Sequence, residues 1–119
     1  MPRPTLLIAE PDPVQALSVR KLVIETAKFN VTTAYSTREA RELLKKFPQV
    51  DCVVMIAEMP GCEDAARTAK SINSQLPVIV LSANRNLQRY KADHHISSHE
   101  PEELLDLLRS MFGDPRKAA

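Results

Sequence analysis

The sequence predicts an α/β domain built as a doubly wound parallel sheet, on three observations. Five short apolar runs are bounded by turn or polar residues, the pattern of strands buried on both faces. Stretches with apolar residues at helical spacing separate most of them. Strands alternating with helices join by right-handed crossovers into a mostly parallel sheet. At 119 residues the chain fits one such domain, taken as residues 1–114, with 115–119 as a tail or the start of a linker.

Thr5-Leu6-Leu7-Ile8-Ala9 reads as the first buried strand. Glu10-Pro11-Asp12-Pro13 follows, with Asp12 suited to an N-cap and Pro13 to a first helical position. Val14, Leu17, Val19, Leu22, Val23, Ile24 and Ala27 then support a helix over about 13–28. Residues 30–34 form a short second strand around Val31, Thr32 and Thr33. Ser36 with Glu39 makes a capping-box pattern, and Ala40, Leu43, Leu44 and Phe47 repeat at helical spacing until Pro48.

Asp51-Cys52-Val53-Val54-Met55-Ile56 is the third strand, closed by Met59-Pro60-Gly61. Cys62, Ala65, Ala66, Ala69 and Ile72 give the next helix a narrow stripe of small side chains that lets it sit close to the sheet. Pro77 to Leu81 is a fourth buried strand, ending in Ser82-Ala83. Residues 84–92 offer a polar fourth helix with Leu87, Tyr90 and Ala92 as its apolar face. His94 to Ser97 is a brief fifth strand. Pro101 opens a last helix carrying Leu104, Leu105, Leu107, Leu108, Met111 and Phe112, and Gly113-Asp114-Pro115 stops it. Five such units in this length fit the flavodoxin-like strand order 2-1-3-4-5.

Several function classes are excluded by the totals. Gly61 and Gly113 are the only glycines, so no Gly-rich phosphate loop exists. Lys plus Arg number 16 against 15 for Asp plus Glu, a formal net charge of +1, which argues against general electrostatic binding of nucleic acid. Arg38, Arg41, Lys45 and Lys46, interleaved with Glu39 and Glu42, read as a solvated helix face. A 44% hydrophobic content supplies a core without metal or disulfide. Cys52 and Cys62 read as reduced thiols. With no signal-type or membrane-spanning apolar stretch, the expectation is a soluble, cytoplasmic protein. No nucleophile–base pair stands at motif spacing, so an enzyme is not expected.

Over nearly its whole length the chain resembles the receiver domain of two-component response regulators. Leu6 to Pro13 is similar to that family's first strand and acidic turn. Asp51 to Ile56 is similar to the strand ending in its phosphoacceptor Asp, and Met59-Pro60-Gly61 to the turn after it. Pro77 to Ala83 resembles the fourth strand with its closing Thr/Ser-Ala, and Ala92-Asp93 with the Pro101 helix resembles the end of the domain. The resemblance implies phosphoryl transfer to an Asp, a Mg²⁺ held by carboxylates, a neutralising Lys, a Thr or Ser hydroxyl and an aromatic switch side chain.

Carried over residue by residue, those roles are mostly vacated. The first acidic position is Glu10, still able to ligate a cation, but the second is Pro11. The phosphoacceptor position is Ile56 and the Lys position Ser98, with His99 where Pro usually follows. Ser82 keeps the hydroxyl, and the switch position falls at His95. Acceptor, one metal carboxylate and charge neutraliser are therefore lost together.

The resulting expectation is a phosphorylation-independent receiver-like signalling module, a pseudo-receiver, acting by protein–protein interaction in a two-component-type pathway. It needs no metal and no cofactor, and its partner is neither nucleic acid nor membrane. The resemblance points to homodimerisation or partner binding through the face of the fourth helix, fifth strand and fifth helix, with Leu87, Tyr90, His95 and Leu105 as test positions. The alternative is a small-molecule or metal sensor using a crevice lined by Pro11, Ile56 and Ala57. Simpler readings stand beside these. Ile56 could be an ordinary core residue of an unrelated α/β protein, Asp12 a helix cap, and Glu10 a solvated side chain at the sheet edge. His94, His95 and His99 invite a zinc site, but neighbouring strand residues point to opposite faces. His95 could also act as a protonation switch near Ser82, or be a simply exposed His on the last strand.

Overall fold

Successive residues of a strand face opposite sides of a sheet, so an unbroken apolar strand requires cover on both. The structure, a computed structural model, describes residues 4–10, 12, 29–56, 61–82, 93–97 and 101–113. Its strands are β1 (Thr5–Ala9), β2 (Asn30–Ala34), β3 (Cys52–Ile56), β4 (Val78–Ser82) and β5 (His94–Ser97), with helices α1 (Thr37–Lys46), α2 (Cys62–Ile72) and α3 (Pro101–Phe112). All strand pairings are parallel, in the order β2-β1-β3-β4-β5. The helices expected over 13–28 and 84–92 lie outside the described residues.

The sheet divides the core into two layers. Leu7, Ala9, Val53, Met55, Val78 and Val80 meet Ala40 and Leu44 of α1 and Cys62, Ala65, Ala66 and Ala69 of α2. Leu6, Ile8, Cys52, Val54, Ile79 and Leu81 meet Phe29 and Leu104, Leu105 and Leu108 of α3. Adjacent residues of β1, β3 and β4 thus alternate between layers, as strands covered on both faces must.

Helix ends follow their local chemistry. The Glu39 N–H donates to Ser36 Oγ at 3.1 Å, satisfying one of the orphan amides of α1, while Lys45 and Lys46 sit at its negative end. Phe47, expected on the apolar stripe, is the C-cap and is 54% exposed: leaving helical geometry at the cap swings its side chain off the buried face. Gly61 caps α2 with φ of 77°, and Gly113, with φ of 79°, donates its N–H to the Arg109 carbonyl at 2.8 Å to close α3. Among the described residues no helix is long and apolar enough to cross a membrane.

Candidate functional site

In open parallel sheets, ligands gather beyond the carboxyl ends of the strands. Pairing of Ala9 with Met55 puts Glu10 and Ile56 one step further at the same level, and Ile56 itself pairs with Leu81. Ser82, paired with Ser97, follows on β4. Glu10, Ile56 and Ser82 therefore do assemble on three adjacent strands. Ile56 is half-buried and packs against both core layers, so a purely aliphatic side chain stands at the end of the central strand.

Glu10 is not solvated. It is 8% exposed, because its N–H prolongs the β1–β2 ladder by donating to the Ala34 carbonyl at 2.9 Å. A carboxylate so placed needs a donor, and its Oε1 accepts the Asp12 N–H at 3.0 Å. Asp12 itself is exposed; the helix it was expected to cap lies outside the described residues. So do Pro11, Ala57, Leu87, Tyr90, Ser98 and His99.

His95 is exposed and pairs with Val80, while His94 is half-buried and pairs with Ile79. Val80 and Ile79 belong to opposite core layers, so the two imidazoles diverge. Ser82 pairs with Ser97, two residues beyond His95. Among the described residues no three His, Cys, Asp or Glu come together as a metal site. Leu105, expected at an interacting surface, is 5% exposed and packs in the layer beneath α3. Its spacing with Leu104 and Leu108 places it on the buried stripe of the helix, so it is a core residue.

The opposite end of the sheet holds two carboxylates with a shared role that motif reading passes over. Asp51, just before β3, donates its N–H to the Thr5 carbonyl and accepts the Thr5 N–H on Oδ2, both at 2.8 Å. Asp93, just before β5, donates to the Val78 carbonyl at 2.9 Å and accepts the Val78 N–H on Oδ2 at 2.7 Å. Each supplies an acceptor to the first N–H of the neighbouring strand. An Asp directly preceding an apolar strand is the sequence signal for it. Asp93 Oδ2 also meets Lys70 Nζ of α2 at 2.7 Å.

Burial opposes ionisation of Asp93, but the Lys70 ammonium and the Val78 N–H outweigh it and hold the carboxyl below its ordinary value. Burial, followed by the carboxylates of Asp93 and Asp51, pushes the Cys52 thiol up to about 12, so Cys52 is an inert core residue. A folded-state pKa depressed in this way adds stability above the ordinary carboxylate range, lost as pH falls through the depressed value. Asp93→Asn is expected to lower stability at neutral pH by about 1 kcal/mol, allowing for screening of a side chain 39% exposed. The deficit should vanish in acid, where wild type also loses the charge; urea titrations across pH check it.

Comparison with known proteins bears on this arrangement. The family described as response regulator receiver domain matches residues 6–97, whereas no curated protein matches the chain. Among solved structures, a response regulator receiver domain protein from Clostridium thermocellum superposes with a TM-score of 0.82 at 18% identity, covering 95% of this chain and 97% of that one. The non-phosphorylated HemR receiver domain from Leptospira biflexa gives 0.74 at 25% identity, with coverage of 90% and 93%. A chain of the complex between the P1 domain of CheA3 and CheY6 from R. sphaeroides gives 0.77 at 19%, with coverage of 92% and 97%. With the family match running from the first strand to the end of the fifth, over the sheet order just described, the chain belongs to the response regulator receiver domain family, the signal-receiving modules of two-component systems.

Proposed function

We propose that this receiver works without accepting phosphate, and that its output is protein–protein recognition in a two-component-type pathway. One observation carries the reading: Ile56, aliphatic and wedged between both core layers, ends the central strand at the level of Glu10. An isoleucine has no lone pair to attack phosphorus. The family's Mg²⁺ does not fit the donor set either. That ion demands near-octahedral oxygen ligation and usually draws on carboxylates, and of the three adjacent strand ends only Glu10 supplies one, since Ile56 has no oxygen in its side chain and Ser82 only a hydroxyl.

The CheA3 P1–CheY6 complex among the structural matches supports a protein as the partner. Self-association through β5 and α3 is one form of this function, with exposed His95 rather than core Leu105 at the contact. Backbone amide spectra with Mg²⁺ and beryllofluoride are expected to overlay those of the free protein; wholesale shifts centred on Glu10, Ile56 and Ser82 would overturn the proposal. Sedimentation over a range of protein concentrations then separates the two forms, since mass rising with concentration marks self-association.

A further inference from the structure

The sheet ends on one side at β2. The Asn30 N–H donates to the Pro4 carbonyl at 3.0 Å, and the Ala34 carbonyl accepts the Glu10 N–H at 2.9 Å, so Asn30 and Ala34 turn their backbone groups toward β1. Successive residues of a strand turn these groups to opposite sides. Thr32 therefore also bonds to β1, while Val31 and Thr33 aim theirs away from the sheet. Among the described residues nothing bonds to those two N–H and two C=O groups. Natural sheets blunt such an edge with lysine, proline, a bulge or an inward-pointing charge. The strand Asn-Val-Thr-Thr-Ala has no charge and no proline, and its register with β1 runs unbroken over five pairs. Its β-branched Val31, Thr32 and Thr33 suit extended structure.

We propose that this edge pairs with β2 of a second copy of the chain, antiparallel about a two-fold axis at Thr32. That register sets Val31 opposite Thr33 of the other copy. Both face outward, and an antiparallel pair of such residues exchanges two hydrogen bonds. The axis repeats the pair, so four bonds satisfy every outward group of both strands. The helix above the edge is self-complementary in the same symmetry. α1 packs on β1, β2 and α2, and its Thr37 abuts Gly61 at the start of α2. The opposite flank, past buried Ala40, overhangs the open edge and carries Glu39, half-buried Leu43 and exposed Lys46 at i, i+4 and i+7. A two-fold axis lays this flank antiparallel to its own copy, with Glu39 toward Lys46 and Leu43 toward Leu43. Opposite charges then meet at both ends and apolar side chains between them, with the helices near the separation of about 8–10 Å of packed pairs. Such an isologous contact closes as a dimer. It lies at the edge opposite β5 and does not depend on how the Ile56 end of the sheet is used.

Sedimentation and amide hydrogen exchange of the full chain over a range of concentrations test it. Mass should rise toward that of a dimer while the Val31 and Thr33 amides become protected. Those of Asn30 and Thr32, already bonded to β1, should not respond. Mixing labelled and unlabelled copies should give a magnetisation transfer between the two Thr32 α-protons, because a non-hydrogen-bonded antiparallel pair brings its Cα atoms to about 4.5 Å. Thr33→Pro deletes an outward N–H and no bond to β1, so it should weaken the dimer about tenfold through the two bonds lost, with the β3 and β4 amides unshifted. Exchange in the unaltered chain decides alone should that variant not fold. A chain monomeric at every concentration, Val31 and Thr33 amides indifferent to concentration, protection appearing on β5 instead, or an undiminished dimer in folded Thr33→Pro would each overturn the proposal.

Discussion

Phe29→Ala is expected to remove about 3–5 kcal/mol of folding stability, the largest single-residue effect foreseen for this chain. Phe29 is fully buried immediately ahead of β2 and packs in the layer of Leu6, Ile8, Val54 and Leu108. Its truncation removes the transfer term of an aromatic ring and leaves a cavity that the stiff strands of a sheet cannot collapse into. It also removes the edge-to-face partner of Phe112, worth about 0.5–1.5 kcal/mol beyond area burial. Domains of this kind hold only about 5–15 kcal/mol in all, so the variant should lose a large share of its stability. Urea unfolding measures it: the midpoint should fall sharply at unchanged slope. A loss under about 1 kcal/mol, typical of a surface change, would show that Phe29 is not packed as described.

Gly61→Ala is expected to cost about 2–3 kcal/mol through two separable causes. The φ of 77° lies where a Cβ crowds the following carbonyl, a penalty of about 1–2 kcal/mol. The added Cβ would also stand 2.9 Å from Thr37 Oγ1, and Thr37, only 9% exposed at the start of α1, has little room to retreat. Gly113→Ala serves as the control, because its φ of 79° is similar but nothing lies within 4 Å of the new Cβ. It should lose only the backbone term. Thr37→Ala made in both the wild-type and Gly61→Ala backgrounds should show a coupling of about that difference, which a double-mutant cycle reads apart from any cost of losing Thr37 itself. Equal losses at both glycines would deny the close approach of the starts of α1 and α2. That approach matters for the site, since both helices begin at the edge of the sheet where Glu10, Ile56 and Ser82 meet.

Much of the architecture was legible because each element carries its own period. Thr5–Ala9, Asn30–Ala34, Cys62–Ile72, His94–Ser97 and Pro101–Phe112 have the bounds their apolar patterns predict. Unbroken apolar strands alternating with helices permit few topologies, and the order 2-1-3-4-5 is among them. Ile56 was legible for a related reason. A strand end is marked by the turn after it, so the last side chain of the central strand can be named without coordinates.

What the sequence by itself determined, then, among the described residues, is the five strands and three helices, the layering of apolar residues and the chemistry missing from the end of β3. Only the tertiary structure decided which polar groups are sheltered and which apolar ones are not. Glu10 is buried because its N–H extends a ladder to Ala34, 24 positions away. Asp51 and Asp93 become strand clamps only once the register sets them beside Thr5 and Val78. Phe47 leaves the core at a helix cap, and Leu105 enters it on the inner stripe of α3. Periodicity records which side of an element is apolar; the neighbour that meets a polar atom across a sheet is set by pairings between distant residues, which no local spacing contains.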